Sequence, residues 1–237
     1  GCNMLVPHAF YYSIRGPRVD ERPPDVGPNN TWWSQFKPFA QATSRLCWLN
    51  TDSTHVCELA ILALNDWLPW RAAKVCFQNQ RDFNYLEARH LWEDARVDAD
   101  GIHIAGMHYR ALILEADPPA QAKSAMDALA QAGRVIRWND SVDAADLVAQ
   151  IDKLIPPDVQ ASPASPSLRV RHVRKGNRDY YLLFNETAAD LECRVTLSSK
   201  GRWMRLDPIS GRGEPVSSDG PLRLAGHAMQ ILAVERV

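Results

Sequence analysis

The run VCELAILAL, residues 56–64, is apolar almost throughout and of strand length. A half-exposed strand would alternate polar and apolar residues, so this one is covered on both faces, as the inner strands of a parallel sheet are. A second run, GIHIAGMHYRALILEA (101–116), predicts strands at 102–105 and 109–115, the latter again strongly apolar. Around these runs lie segments with helical period. RAAKVCFQNQ (71–80) follows Pro69, and proline suits a helix start. DFNYLEARHLWEDA (82–95) divides into a short strand at 83–86 and a helical segment ending near Trp92. Pro118 and Pro119 introduce the helix AQAKSAMDALAQA, Gly133 closes it, and RVIRW (134–138) is the next strand. Residues 144–154 form a last amphipathic helix. Strands alternating with helices predict a doubly wound, Rossmann- or flavodoxin-like α/β layer.

Downstream, Pro156, Pro157, Ser162, Pro163, Ser165 and Pro166 predict a linker. Beyond it the helical period disappears. LRVRHVRK (168–175) alternates, Gly176 and Asn177 make a hairpin turn, and DYYLLFNE follows. LECRVTLSS, GRWMRLDPISG, EPVSSDG and LRLAGHAMQILAVE keep the rhythm of short strands and tight turns. This predicts a small antiparallel β-sandwich, with Tyr180 and Trp203 as core or as a carbohydrate-binding surface.

Upstream lies MLVPHAFYYSIRGPRVDERPPDVGPNNTWW (4–33). Its apolar start, Met4, Leu5 and Val6, leads through Pro7 and His8 to Phe10, Tyr11 and Tyr12. A loop with Arg15, Arg18, Asp20, Glu21, Arg22 and Asp25 then closes on Trp32 and Trp33. Two readings stand side by side. One is a buried strand opening into a ligand-binding loop; the other is an edge strand followed by a solvated, Pro-rich loop. SQFKPFAQATSRLCWLN (34–50) has apolar residues at helical steps (Phe36, Phe39, Leu46, Leu49), and Pro38 fits only its first turn.

Composition excludes several classes. The formal net charge of −1 over 237 residues gives no footprint for nucleic acid or an anionic membrane. No apolar run approaches the roughly 18 residues of a membrane span. The five cysteines are odd in number and lack CxxC spacing, so they read as buried thiols. No GxGxxG or Walker motif supports phosphate binding. Cys76 falls within a predicted helix and Cys57 within a predicted strand, so neither is presented as an amidotransferase nucleophile. No His, Asp and Glu cluster has metal-ligand spacing, and no cofactor is called for. A chain that opens at Gly1 and runs at once into an apolar stretch reads as the carboxy-terminal part of a longer protein.

The segments LVPHAFYYSIRGPRVDERPPDVGPNNTWW, RLCWLN, HVCELAIL and DGIHIAGMHYRALILE resemble the carboxy-terminal region of bacterial glycoside hydrolases, family 106 α-L-rhamnosidases above all. The resemblance implies three parts. Residues 1–54 would be the last βα unit of a (β/α)8 barrel, with 4–12 as its strand and 34–50 as its helix. Residues 55–157 would be an amidotransferase-like, Rossmann-like domain, and 158–237 the linker and β-sandwich. Barrel sites lie at the carboxy ends of the strands. The resemblance therefore implies that His8, Tyr11, Tyr12, Arg15, Arg18 and Glu21 bind substrate, a rhamnose-containing glycan, together with the missing barrel. Strict alternation puts His8 and Tyr11 on opposite faces, so both reach one site only if the strand ends or bulges between them. His8 also reads as a hydrogen-bonded barrel-wall residue.

The catalytic carboxylates are expected on earlier strands, outside this chain. Asp20 and Glu21 are neighbours on a loop and read as ion-pair partners of Arg18 and Arg22 or as acceptors for sugar hydroxyls. The function implied is that of a glycoside hydrolase fragment, inactive alone. The alternative is a non-catalytic carbohydrate-binding or assembly module. Homo-oligomerisation is left open, and no compartment is legible. One further expectation follows: an isolated βα unit cannot bury its apolar faces, so residues 1–50 should leave an apolar patch. Pairing of 4–12 with the 56–64 strand would contradict the barrel assignment.

Overall fold

The computed structural model describes residues 2–8, 16–18, 27, 28, 30–217 and 220–236. The chain is mixed α/β, with one parallel sheet and several antiparallel ones. After helix α1 (Phe36–Asn50) come β1 (Thr54–His55), β2 (Leu59–Ala63), α2 (Trp70–Gln78), β3 (Asn84–Glu87) and α3 (His90–Glu93). Then follow β4 (Arg96–Asp98), β5 (Gly101–Ile104), β6 (Met107–Tyr109), β7 (Ala111–Leu114), α4 (Lys123–Gln131), β8 (Val135–Arg137) and α5 (Ala144–Leu154). The last part is all strand: β9 (Val159–Ser162), β10 (Leu168–Lys175), β11 (Arg178–Asn185) and β12 (Leu191–Leu197). These are followed by β13 (Trp203–Leu206), β14 (Gly213–Val216), β15 (Pro221–Leu224) and β16 (Met229–Glu235).

The parallel sheet has the order β3-β2-β7-β8. Every residue of β2 and of β7 is buried. Leu59, Ile61 and Ile113 face α2 and α5, whereas Ala60, Leu62, Leu112 and Leu114 face α3, α4 and the β5–β6 hairpin. Side chains alternate across a strand, so covering both faces requires apolar residues at both parities. That is the physical content of the unbroken run 56–64.

The structure adds an element that the sequence reading lacked. β4, β5 and β6 form an antiparallel meander. Ala105 and Gly106 both have positive φ (49° and 78°), which gives the two-residue turn that matches strand twist. The apolar stretch predicted as one strand over 109–115 is thereby divided. Tyr109 ends the meander, the Arg110 amide donates to the Glu58 carbonyl, and Ala111 begins the parallel strand.

The predicted linker also differs. Residues 159–162 form β9, which pairs with β12. The prolines flank this strand, and Val159 is buried in the core between the antiparallel sheets. Those sheets have the orders β1-β10-β11-β16-β13-β14 and β15-β12-β9, and they share a core of Leu168, Tyr181, Leu183, Cys193, Trp203 and their neighbours. Tyr180 and Trp203 are both buried, so core packing rather than a surface role accounts for them. Three of the five cysteines are buried; Cys2 is exposed and Cys47 half-buried.

The parallel and antiparallel parts are stitched together. β1 pairs with β10 although it precedes β2 in the chain. Gln80 is buried and donates to the carbonyls of Ser165 and Leu168, each at 3.0 Å. Arg81 forms a two-toothed pair with Asp152 at 2.6 and 2.7 Å and also donates to the Val159 carbonyl.

Helix α1 packs on the outer face of the six-stranded sheet through Leu46 and Leu49, against Val173, Tyr180, Leu182, Ile231 and Ala233. Pro38 sits in its first turn, where a missing N–H leaves no bond unmade. Of the strand expected at 4–12, residues 9–12 lie outside the described residues; residues 2–8 carry no strand, and Met4, Leu5 and Val6 are exposed. A strand needs a partner to satisfy its backbone, and both neighbours of β2 are already taken, by β3 and β7.

The two-faced sheet carries a direct stability prediction. Ile61 is fully buried on β2, so Ile61→Ala should lower unfolding free energy by about 2–5 kcal/mol, and Ile61→Val by about 0.5–1.5 kcal/mol. Urea unfolding followed by tryptophan fluorescence measures both.

Candidate functional site

Of the residues that the sequence assigns to substrate binding, Tyr11, Tyr12, Arg15 and Glu21 lie outside the described residues, as do Asp20 and Arg22. Arg18 closes a 3-10 turn, Gly16–Arg18, and its side chain lies outside the description. His8 is exposed at the end of the strandless segment. Trp32 and Trp33 pack on the start of α1: Trp33 stacks on Phe36 with centroids 4.9 Å apart, and Trp32 lies 6.3 Å from the same ring.

The parallel sheet offers the second place to look. In open α/β sheets, ligands sit at the carboxy ends of the strands where the winding reverses. With the order β3-β2-β7-β8, that point lies between β2 and β7. The adjacent amino terminus of α2 would suit an anion. It is already filled. Glu115, the residue after β7, accepts the Ala72 amide at 2.5 Å. Burial pushes the Glu115 carboxyl above its ordinary range. The Ala72 amide and Arg71 pull it back in part, and Asp140 adds to the rise. Arg71 is itself paired with Asp140 at 3.2 Å. The chain's own carboxylate thus takes the place a phosphate would need.

The thiols of this layer are inert. Burial is the main cause that raises Cys57 far above the usual thiol range and pushes Cys76 up to about 12, with Asp82 adding to both. A thiol so protonated is no nucleophile at neutral pH.

A buried polar cluster in the antiparallel part escaped the sequence reading. His172 is 2% exposed. Its Nδ1 lies 2.9 Å from Asp158 Oδ2, and its Nε2 lies 3.3 Å from Asp179 Oδ1, an ion-pair distance without hydrogen-bond alignment. The ring stacks on its cross-strand partner Tyr181, with centroids 3.9 Å apart. Ser199 Oγ donates to Asp179 at 2.8 Å, Arg174 Nε donates to it at 3.1 Å, and Ser198 Oγ donates to Asp158. Burial opposes ionisation of Asp179, but Ser199, Arg174 and His172 together outweigh it and hold the carboxyl low. Burial and then Asp158 push the Tyr181 phenol up to about 12, so it stays a donor.

Serine, histidine and aspartate together invite a catalytic reading. In a triad, however, the serine bonds to the histidine. Here both serines bond to carboxylates and both histidine nitrogens face carboxylates, so the cluster is a pin between the segment before β9, strands β10 and β11, and residues 198–199. Its signal in the sequence was weak: a histidine in one strand of a hairpin and a tyrosine in the other, which pairing sets opposite each other.

Among the described residues, no group of three or more His, Cys, Asp or Glu side chains could hold a metal ion. No helix there is long and apolar enough to cross a membrane.

No protein-family model matches the chain, and no curated protein matches it. Its fold does match. A rhamnosidase from Novosphingobium sp. PP1Y superposes with a TM-score of 0.65 at 16% identity, over 89% of this chain and 25% of that one. A β-galactosidase from Rahnella sp. R3 gives 0.57 at 10% identity, over 87% and 45%. A β-galactosidase from Bacillus circulans sp. alkalophilus gives 0.56 at 10%, over 85% and 44%. The chain is therefore similar in fold to parts of glycoside hydrolases. It spans a quarter to less than a half of these proteins' length.

The Glu115 cap has a pH signature. A carboxyl whose folded pKa is raised stabilises most below its unfolded value, near 4.5, and that contribution is lost as pH rises through the folded one. Glu115→Gln cannot titrate. As pH rises above the unfolded value, its thermal midpoint should fall less than that of the unmodified chain. Equal falls in both proteins would show that Glu115 is not the titrating group.

Proposed function

We propose that this chain is the carboxy-terminal part of a glycoside hydrolase of the α-L-rhamnosidase type. In this reading residues 1–54 complete a (β/α)8 barrel, 55–157 form a Rossmann-like accessory domain, and 158–237 form a β-sandwich. His8, Tyr11, Tyr12, Arg15, Arg18 and Glu21 supply one wall of the sugar site. Tyrosine faces stack on sugar C–H surfaces, while arginine and carboxylate groups hydrogen-bond the hydroxyls. Glycosidic cleavage needs two carboxylates across the scissile bond, and these belong to the rest of the barrel.

The observation that carries the reading is helix α1. Of its 15 residues only Leu49 is fully buried. Trp32, Phe36 and Phe39 form an aromatic ladder, with successive centroids 6.3 and 6.0 Å apart, and Phe39 and Trp48 are 50% and 59% exposed. Exposed apolar surface of this kind marks a missing neighbour. A barrel's remaining strands and helices are a neighbour of the right chemistry. The fold likeness to a rhamnosidase over 89% of the chain supports the same choice.

A second reading is a non-catalytic carbohydrate-binding or assembly module. It draws on the stitching through Gln80 and Arg81, which bonds the α/β part directly to the antiparallel part.

Hydrolysis of an aryl α-L-rhamnoside, assayed with this chain and with the full-length product of its gene, separates the two readings. We expect activity in the full-length protein alone. Activity in neither favours the binding module, and activity in this chain alone would falsify the assignment of the acid and base elsewhere. The ladder gives an independent check. Phe39→Glu should change unfolding of this chain by no more than about 0.5 kcal/mol, because the position is exposed. The same change should lower the thermal midpoint of the full-length protein, where the barrel would cover it.

A further inference from the structure

Helix α1 does not lie flush on the sheet it covers. Alternate residues of a strand point the same way, so Arg169 and Arg171 share the outer face of the six-stranded sheet with Val173, which packs there with Leu49. Pairing sets Arg169 beside Phe184 and Arg171 beside Leu182, and it sets Phe184 beside Met229 of β16. Opposite this surface α1 presents Thr43, Leu46, Cys47 and Asn50, which helical spacing places on one face. A cavity of about 340 Å³ remains between helix and sheet, bordered on one side by Cys2 and Leu5. That volume suits a small ligand.

Two polar atoms are left over at this cavity. Arg171 and Asn50 both line it, and Arg171 Nε and Asn50 Oδ1 are buried without a hydrogen-bond partner. The Asn50 amide is oriented by its nitrogen, which donates to the Leu46 carbonyl at 3.0 Å, so the oxygen is the free end. Arg169, two residues away on the same face, shows the contrast. It donates to the carbonyls of Phe77 and Pro166 and pairs with Glu186. A buried polar atom without a partner is costly, and the cost falls when something else supplies the partner.

The donor set defines that partner. A guanidinium with a free donor calls for an anion, and its planar fork matches a carboxylate. An amide oxygen calls for a hydroxyl or N–H. Leu46, Leu182, Phe184 and Met229 line the space around them and call for an apolar body. A free inorganic anion offers nothing to these four side chains, and a sugar would set its hydroxyls against them.

We propose that this cavity binds a small carboxylic acid with an apolar body and a hydroxyl group. The carboxylate meets Arg171, the body lies on Leu182 and Phe184, and the hydroxyl donates to Asn50 Oδ1. Both residues reach the cavity wall, so small turns of their side chains bring the free atoms to the ligand. The site lies on the sheet side of α1, apart from the residues assigned to the sugar wall, and it does not rest on the glycosidase reading.

Isothermal titration of this chain tests it, with para-hydroxyphenylpropionate, ω-hydroxyoctanoate, the amide of the first acid, and acetate as probes. The expected result is binding of a hydroxy acid at least tenfold tighter than that of the amide or of acetate. The tighter of the two acids shows whether the body is aryl or alkyl. Arg171→Gln should weaken that binding at least tenfold and leave the thermal midpoint close to that of the unmodified chain, because Nε bonds to nothing. Thr43→Phe, which fills the cavity from α1, should abolish binding with Arg171 still in place. Lys74→Ala, on an exposed face of α2, should leave binding unchanged. The proposal is overturned if neither acid binds, if the amide binds as tightly as its acid, or if acetate does. It is also overturned if Thr43→Phe or a folded Arg171→Gln variant binds normally, or if Lys74→Ala weakens binding as much.

Discussion

A strand that is apolar on both sides must be covered on both sides, and β2 and β7 impose that condition on everything around them. Two helices, α2 and α5, meet it on one face. On the other face α3 and α4 are joined by the β4–β6 meander, which contributes Ile102 and Tyr109. The meander folds back so closely that a Cβ on Gly101 would lie 2.1 Å from the Tyr109 carbonyl oxygen. Glycine is therefore required there by space as well as by its φ of +140°. Each fully buried Ile or Leu of these strands contributes about 1.5–3 kcal/mol, which explains why the layer tolerates a polar, hydrogen-bonded seam with its neighbour.

Helix α1 answers to two surfaces at once. Its carboxy-terminal half lies on the six-stranded sheet, with Leu46 and Leu49 inward and Lys175 over the Trp48 ring at 4.7 Å. Arg45 Nη1 donates to the carbonyls of Pro208 and Ile209 at 2.9 and 2.6 Å, fastening the β13–β14 turn. The amino-terminal half carries the aromatic ladder, and in this chain much of that surface faces water. One helix that is anchored at one end and apolar but uncovered at the other is the arrangement expected where a second body docks.

Much of the α/β layer could be read from the sequence, because burial on two faces leaves an unmistakable run and because Gly133 and the prolines punctuate it. Helix α5 falls on the residues that the period marks, 144–154. What escaped reading had local patterns that compete with tertiary context. Prolines at 156, 157, 163 and 166 signal a linker, yet Val159 is apolar enough to pull residues 159–162 into a sheet. The 109–115 run looks continuous because apolar residues serve the meander and the parallel sheet alike, and the change falls at Arg110, between β6 and β7. The expected sugar wall falls mostly outside the described residues. The Asp158–His172–Asp179 pin joins residues from β10, β11 and the segment before β9, so no spacing in the sequence could announce it.

The Glu115 cap and the Asp158–His172–Asp179 pin have a common logic. At the α2 terminus the chain supplies its own anion, Glu115, and in the antiparallel core it supplies two carboxylates for one imidazole. In each case the polar groups that could have served a ligand are turned on one another. Burial then fixes them, because a charged or polar group removed from water is costly unless it stays paired. An α/β layer whose switch point is occupied from within has no room for the phosphate-bearing ligands that such layers usually bind. What joins the layer to the rest is the seam through Gln80 and Arg81, which bond to carbonyls of the antiparallel part.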